Sequence, residues 1–238
     1  MSTDKRQGIA GIIFLLMVFS TPTIFHSASA QISTGTNNIG VYAGNSIPYG
    51  LNYSAWEANW WKWLMQIESK ANPASDSTGS NCIKNQSGPV WFLAGSTSGI
   101  ASRTCTVPAG KAILFPVVGA ECSYAENPNL KTESELRNCA VTILNVVSHI
   151  EAKVDTTSLQ NSQMPRIQSP LFSFTFPGNN IFGAPGGPSQ SVGDGFFVFL
   201  KPLSIGKHDI AFKATGVQYT TTGVNNLSQD IVYHLTVQ

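Results

Sequence analysis

Carboxylates are the residues of this sequence with the most direct chemistry to offer. Asp76 and Asp194 stand in Gly/Ser-rich stretches, and Glu121 and Glu126 bracket Cys122. Two such acids facing each other across a groove hydrolyse glycosides, one protonating the leaving oxygen while the other acts as nucleophile or base. Solvated loop acids and turn caps are the ordinary alternative. Histidines are few: His26 falls in the N-terminal apolar segment, and His149, His208 and His234 are scattered and read as solvated or hydrogen-bonded rings. His149-Ile150-Glu151 lacks the Pro-Cys-x-x-Cys segment that a zinc deaminase requires. Gly-x-Ser-x-Gly, His-Glu-x-x-His, phosphate-loop and EF-hand patterns are absent, and the run Gly183-Ala184-Pro185-Gly186-Gly187 has no following Lys-Ser/Thr. The sequence therefore assigns no catalytic residue, metal or cofactor.

The four cysteines, Cys82, Cys105, Cys122 and Cys139, show none of the close Cys-x-x-Cys spacing that zinc favours. An even number in an exported chain reads as two disulfides, with three pairings open. Cys82 with Cys105 and Cys122 with Cys139 is the favoured set, because each closes a modest loop between neighbouring elements.

Binding is the other chemistry on offer. On a helical wheel Tyr53, Trp56, Trp60, Trp63, Leu64 and Ile67 share one face, with Ala58, Asn59, Lys62 and Gln66 opposite. Asn52 or Ser54 is placed to cap this helix, and Asn72-Pro73 ends it. The main stripe reads as core. Trp61 and Met65 fall on its flank, where they are free to meet a partner or a sugar ring. Trp61, Asp76, Gln86 and Glu121 form the expected binding surface. Asn52-Tyr53-Ser54, Asn85-Gln86-Ser87 and Asn226-Leu227-Ser228 fit the N-glycosylation acceptor pattern, so Asn52, Asn85 and Asn226 are the positions for such a modification.

The elements around these residues begin with an export leader. Lys5 and Arg6, the apolar run from Ile9 to Phe19 and the small-x-small site Ala28-Ser29-Ala30 have the order that signal peptidase reads, so residues 1–30 are expected to be cleaved after Ala30. Thr21, Pro22 and Thr23 interrupt the run, which disfavours an uncleaved anchor. No later stretch is long or apolar enough to cross a membrane. Removing Asp4, Lys5 and Arg6 from the chain's 14 basic and 13 acidic side chains leaves 12 of each. A neutral mature surface argues against nucleic acid or an anionic membrane as partner.

After an extended arm over 31–52, residues 53–238 read as one domain. Strand-length apolar segments occur at 90–94, 101–107, 111–118, 150–154, 171–176, 195–200, 207–214 and 230–237. The last alternates cleanly, with Ile231, Tyr233, Leu235 and Val237 on one side. Pro108-Ala109-Gly110 is a turn between two of these strands. Thr132-Glu133-Ser134-Glu135 has the capping-box form, opening a second amphipathic helix that runs to about Ser148. About eight strands bounded by Gly/Pro turns, with two amphipathic helices, predict a mainly β, two-sheet antiparallel sandwich of jelly-roll type. The uncharged stretch from Gly178 to Gly193 is expected to be a long loop.

The segments Tyr53-Ser-Ala-Trp-Glu-Ala-Asn-Trp-Trp-Lys-Trp63, Gln86-Ser-Gly-Pro-Val-Trp-Phe-Leu-Ala-Gly95, Arg103-Thr-Cys-Thr-Val-Pro-Ala-Gly-Lys111 and Pro202-Leu-Ser-Ile-Gly-Lys-His208 resemble a family of exported prokaryotic proteins, mainly β, for which no function is established. The likeness runs from about residue 53 to the end and implies a single domain. It brings no substrate, cofactor or catalytic residue with it. Together these features point to an extracellular or cell-surface protein that binds or assembles, with a glycan or another surface protein as partner. A secreted carbohydrate-active hydrolase using loop carboxylates is the alternative.

Overall fold

Strand β3 (Ala112–Ser123) is buried along almost its whole length on both faces, and this decides the layering of the molecule. The computed structural model describes residues 39–220 and 223–238. The expected leader, its cleavage site and arm residues 31–38 lie outside the described residues. One face of β3 looks into a second sheet; the other is covered by helix α1 (Tyr53–Met65). A strand covered on both sides reads as a continuous apolar run, and Ala112 to Val118 is one.

The first sheet has the order β1 (Val90–Phe92), β3, β8 (Gly187–Leu200), β6 (Arg166–Gln168), with β7 (Phe172–Phe176) pairing the N-terminal part of β8. The second has the order β2 (Ile100–Val107), β10 (Gly223–Val237), β9 (Gly206–Thr220), β4 (Val147–Val154), β5 (Thr157–Ser158). The architecture is mainly β and sandwich-like, with ten strands among the described residues rather than about eight. The two unexpected ones, β5 and β6, are only two and three residues long.

The sheets are mixed, which corrects the antiparallel expectation. β1 runs parallel to β3, and β2 runs parallel to β10. The cause is the Pro108–Gly110 turn: β2 buries only alternate residues while β3 is buried throughout, so the turn carries the chain from one sheet to the other instead of forming a hairpin. Gly110 takes φ 81 to make that turn, a region open to glycine. β2 is then left at an edge, beside a C-terminal strand that runs in its own direction.

The core between the sheets is built from Ile113, Phe115 and Val198 on one side and Ile210, Phe212, Ile231 and Leu235 on the other. It contains a cation: Arg103 of β2 is 1% exposed. Its guanidinium donates to the carbonyls of Asp76 (2.6 Å) and Ala94 (2.7 Å) and to Tyr233 Oη (2.6 Å), and it lies over the Tyr233 ring at 5.2 Å. A buried charge is tolerated when it is fully hydrogen-bonded, and here the bonds also hold loop 74–78 and the end of β1 against β2.

Helix α2 (Glu133–Leu144) starts with the expected capping box. Thr132 Oγ1 accepts from the Glu135 N–H, and the Glu135 carboxylate accepts from the Thr132 N–H. The helix is shorter than expected, because β4 begins at Val147. Leu136 and Ala140 pack on Cys122 and Val192. Both favoured disulfides are present: Cys82–Cys105 ties the loop before β1 to β2, and Cys122–Cys139 ties the end of β3 to α2. Two disulfides are the cysteine usage of an oxidising compartment. No helix among the described residues is long and apolar enough to cross a membrane.

The stretch expected as a loop from Gly178 to Gly193 is strand from Gly187 onward. What remains is held by Asn180, whose carboxamide donates to the carbonyls of Pro177 and Ala184 and accepts from the N–H groups of Phe182 and Ala184. The arm docks on the end of β8: Val41 bridges Leu200, and the Tyr42 N–H donates to the Phe199 carbonyl at 2.8 Å.

Loop closure of 23 and 17 residues makes each disulfide worth about 3 kcal/mol. Replacing either pair by serine should lower the unfolding free energy by about that amount in a urea titration, and mass analysis of the oxidised protein should find no free thiol. Two or more free thiols would contradict the pairing.

Candidate functional site: cavities around the tryptophan helix

Helix α1 is capped by Asn52, whose Oδ1 accepts from the Ala55 N–H at 2.9 Å, and from there it is buried on nearly every side. Three of its indoles donate to backbone carbonyls of other segments: Trp56 to Pro48 (2.8 Å), Trp60 to Leu93 (2.9 Å) and Trp63 to Lys84 (2.8 Å). The arm, the end of β1 and the disulfide loop thus hang from this helix. Trp61 and Met65, expected on an open flank, are buried at 5% and 0% exposure. Their flank packs on the first sheet where β3 and β8 lack side chains: Trp61 Cζ2 lies 3.2 Å from where a Gly119 Cβ would stand, and Nε1 2.3 Å from the same point at Gly193. In a strand, such glycines allow the close approach of another element.

Cavities open on both sides of the helix. One, of about 340 Å³, has Trp56, Trp63 and Phe92 as its aromatic wall and Asn59, Gln66, Asn85 and Ser87 as polar groups. Gln86 shapes it from behind: its Nε2 donates to the carbonyls of Cys82 (2.9 Å) and Phe92 (2.8 Å), and its Oε1 accepts from the Phe92 N–H (3.0 Å). Asn85 sits at φ 52, and Tyr49, packed edge-on to Trp56, sits at φ 54. Left-handed backbone at non-glycine residues is uncommon, and two of its three occurrences among the described residues flank this cavity.

A second cavity, of about 160 Å³, lies against Trp60, Trp61 and Phe182, with Ser96, Thr97 and Gln229 at its polar side. It adjoins one of about 440 Å³ that reaches Ile143 and Ser228. A groove of about 730 Å³ runs along β7 and β8 past Tyr124 and Gln190. None of these four has a charged side chain in its lining. Aromatic surface with carboxamides and hydroxyls and no formal charge suits neutral, polar ligands.

The acids are engaged elsewhere. Asp76 accepts from the N–H groups of Thr78 and Asn81, both at 2.8 Å, and folds the 76–81 loop. Burial works against it, yet these bonds and the Thr78 and Ser80 hydroxyls hold its carboxyl below the usual range. Glu121 is enclosed: burial and then the neighbouring Glu126 carboxyl push it well above the usual range, although the Ser191 hydroxyl donates to it at 2.5 Å. Asp194 is 1% exposed and paired with Arg166 at 2.7 and 2.9 Å. Of the four expected binding residues, Trp61 lines the smaller helix cavity, Gln86 supports the wall of the larger, and Asp76 and Glu121 line none of the four. The histidines pair with acids, His208 with Asp155 at 2.9 Å, His234 with Asp209 at 2.8 Å and His149 with Glu151 at 3.7 Å. No group of three metal-ligating side chains occurs among the described residues. Asn52, Asn85 and Asn226 are all exposed.

Glu57 went unread in the sequence. It is 1% exposed, one turn before Trp61 on the same flank, and its carboxyl and the Trp61 Nε1–H sit together against Gly193, with no other hydrogen-bond partner for either. Burial, then the Asp194 charge, push this carboxyl well above the usual range, against the pull of the Trp61 N–H and Arg137. The 57, 61, 65 spacing, an i, i+4, i+8 row beside the apolar stripe, was the available signal.

No protein-family model matches the chain, and no curated protein matches it. Solved structures similar to part of it include amebosin (13% identity, 63% of this chain and 100% of that one, TM-score 0.22). Others are the cysteine protease inhibitor EhICP2 from Entamoeba histolytica (12%, 62% and 96%, TM-score 0.22) and PbICP-C in complex with falcipain-2 (13%, 62% and 98%, TM-score 0.23). Likeness at that level carries no argument about this chain.

Glu57 and Glu121 carry raised carboxyl values, so above the ordinary value of 4.5 the native state keeps protons that the unfolded chain releases. Their contribution is present at acid pH and is lost as pH rises above that value. The urea midpoint should therefore fall from about pH 5 to about pH 8 in this respect, and Glu57→Gln should flatten the slope. An unchanged slope in the variant would contradict the buried, protonated state of Glu57.

Proposed function

We propose that this chain is an exported extracellular or cell-surface protein that binds rather than catalyses, and that it holds a neutral glycan in the cavity lined by Trp56 and Trp63. The leader, with cleavage after Ala30, and the likeness to exported prokaryotic proteins supply the location. Two disulfides support it. The observation that carries the reading is the absence of charge from the lining of these four cavities, while Asp76, Glu121 and Asp194 are engaged away from them. Sugars bind on aromatic surface with neutral hydrogen-bonding groups around it, and this cavity sets Asn59, Gln66, Asn85 and Ser87 about Trp56, Trp63 and Phe92.

A hydrolase needs two acids on one open groove. Asp76 is tied into its own loop, Glu121 is enclosed and Asp194 is held by Arg166. That distribution favours binding over hydrolysis.

A glycan array probed with the mature, oxidised protein is expected to show binding to neutral oligosaccharides. Asn59 is on the half-exposed side of α1, so Asn59→Ala should leave the fold intact while weakening that binding about tenfold, the effect of losing one or two hydrogen bonds. A uniformly blank array, or an Asn59→Ala variant that binds as the parent does, would overturn the glycan reading.

A further inference from the structure

The cavity at Trp56 and Trp63 does not end where the helix ends. Gln66, the C-cap of α1, lines both this cavity and the groove of about 730 Å³ along β7 and β8. Its side chain is exposed, so the two spaces meet at a residue that solvent reaches. A ligand that follows the helix out of the cavity has the groove ahead of it.

Along the helix the cavity is lined in turn by Trp56, Asn59, Trp63 and Gln66, an indole alternating with a carboxamide. The alternation repeats every seven residues, so both indoles fall in one column of the helix and both carboxamides in another. Seven residues advance about 10.5 Å along a helix, and equivalent groups recur at that interval. Trp56 and Trp63 have spent their N–H groups on the Pro48 and Lys84 carbonyls, which fixes the indoles and leaves them apolar toward the cavity. The carboxamides are the reverse. Those of Asn52, Gln86 and Asn180 are taken up by backbone groups, whereas among the described residues those of Asn59 and Gln66 have no partner in the protein. Their donors and acceptors are open to a ligand.

A surface that repeats at a fixed interval matches a ligand that repeats at the same interval. Two rings of an extended β-1,4-linked sugar chain advance by about that distance, and every second ring presents the same face. An α-1,4-linked chain coils and does not keep the interval. We propose, resting on the glycan reading above, that the ligand is an extended, neutral, β-1,4-linked polysaccharide. It is held along its length, from the Trp56–Trp63 cavity past Gln66 into the groove. Thr175 and Gln190 meet its far part: both are exposed and line the groove. Gln190 donates once, to the Ser173 hydroxyl at 3.3 Å, and its carboxamide oxygen has no partner among the described residues; nor has the Thr175 hydroxyl.

Calorimetric titration of the mature, oxidised protein with cello-oligosaccharides, from the disaccharide to the hexasaccharide, tests the proposal. N-acetylated chito-oligosaccharides serve as a second β-1,4-linked series and malto-oligosaccharides as the coiled control. In at least one β-1,4-linked series the hexasaccharide should bind at least roughly tenfold more tightly than the disaccharide, and maltohexaose at least roughly tenfold more weakly than that hexasaccharide. The double variant Thr175→Ala/Gln190→Ala changes only exposed side chains. It should weaken hexasaccharide binding about tenfold and leave the disaccharide unchanged. Equal binding of disaccharide and hexasaccharide, maltohexaose binding as tightly as the β-1,4-linked chain, or a double variant that holds the hexasaccharide as the parent does would each overturn the proposal and leave the glycan reading standing. So would an array that finds neutral glycans while neither β-1,4-linked series binds. A blank array removes both.

Discussion

A helix carrying four tryptophans can be buried only if its indole N–H groups find acceptors, and most of this molecule is arranged around that requirement. Trp56, Trp60 and Trp63 satisfy it with the carbonyls of Pro48, Leu93 and Lys84, in the arm before the helix, the end of β1 and the disulfide loop. Each such bond contributes about 1 kcal/mol net, while an indole N–H left dry costs about 1–3 kcal/mol, so the three segments are drawn onto the helix. The same bonds place the walls of the cavities. The loop bearing Asn85 is pinned by Trp63, by Gln86 and by the Cys82–Cys105 disulfide, and the chain leading into β2 is held by Trp60 and Arg103.

Trp61 is the exception, and the sheet beneath it has adapted. Gly119 and Gly193, on neighbouring strands, leave room for its ring, and the acid one turn earlier is carried into the interior with it. The contrast with Arg103 is instructive. The arginine is equally buried and fully hydrogen-bonded, so it serves the packing of the sandwich; Glu57 is buried with only the Trp61 N–H beside it, and burial favours its protonated form.

Features set by local pattern were legible in the sequence. The alternation of 230–237, the capping box at Thr132, the Asn52 cap and both disulfide pairings depend on neighbours a few residues away or on compartment chemistry, and the structure has them. Features set by which sheet a strand joins were not. The Pro108–Gly110 turn looks the same whether it closes a hairpin or crosses a sandwich, and the parallel pairing of β2 with β10 spans more than a hundred residues. Gly193 reads as the end of a loop because its reason for being there, the Trp61 ring, belongs to a distant helix. Glu57 was hidden in the same way: a glutamate among alanines and tryptophans reads as solvated until the flank that it shares with Trp61 is known to be covered.

The central claim is that α1 presents tryptophan to a ligand from within the core. The indole N–H resonances in a nitrogen–proton correlation spectrum report on it directly, since Trp91 lies between the sheets and serves as an internal reference. Titrating a neutral oligosaccharide should shift the Trp56 and Trp63 resonances and leave Trp91 in place. Resonances of Trp56 and Trp63 that stay fixed while binding is detected by other means would place the ligand elsewhere and contradict the account.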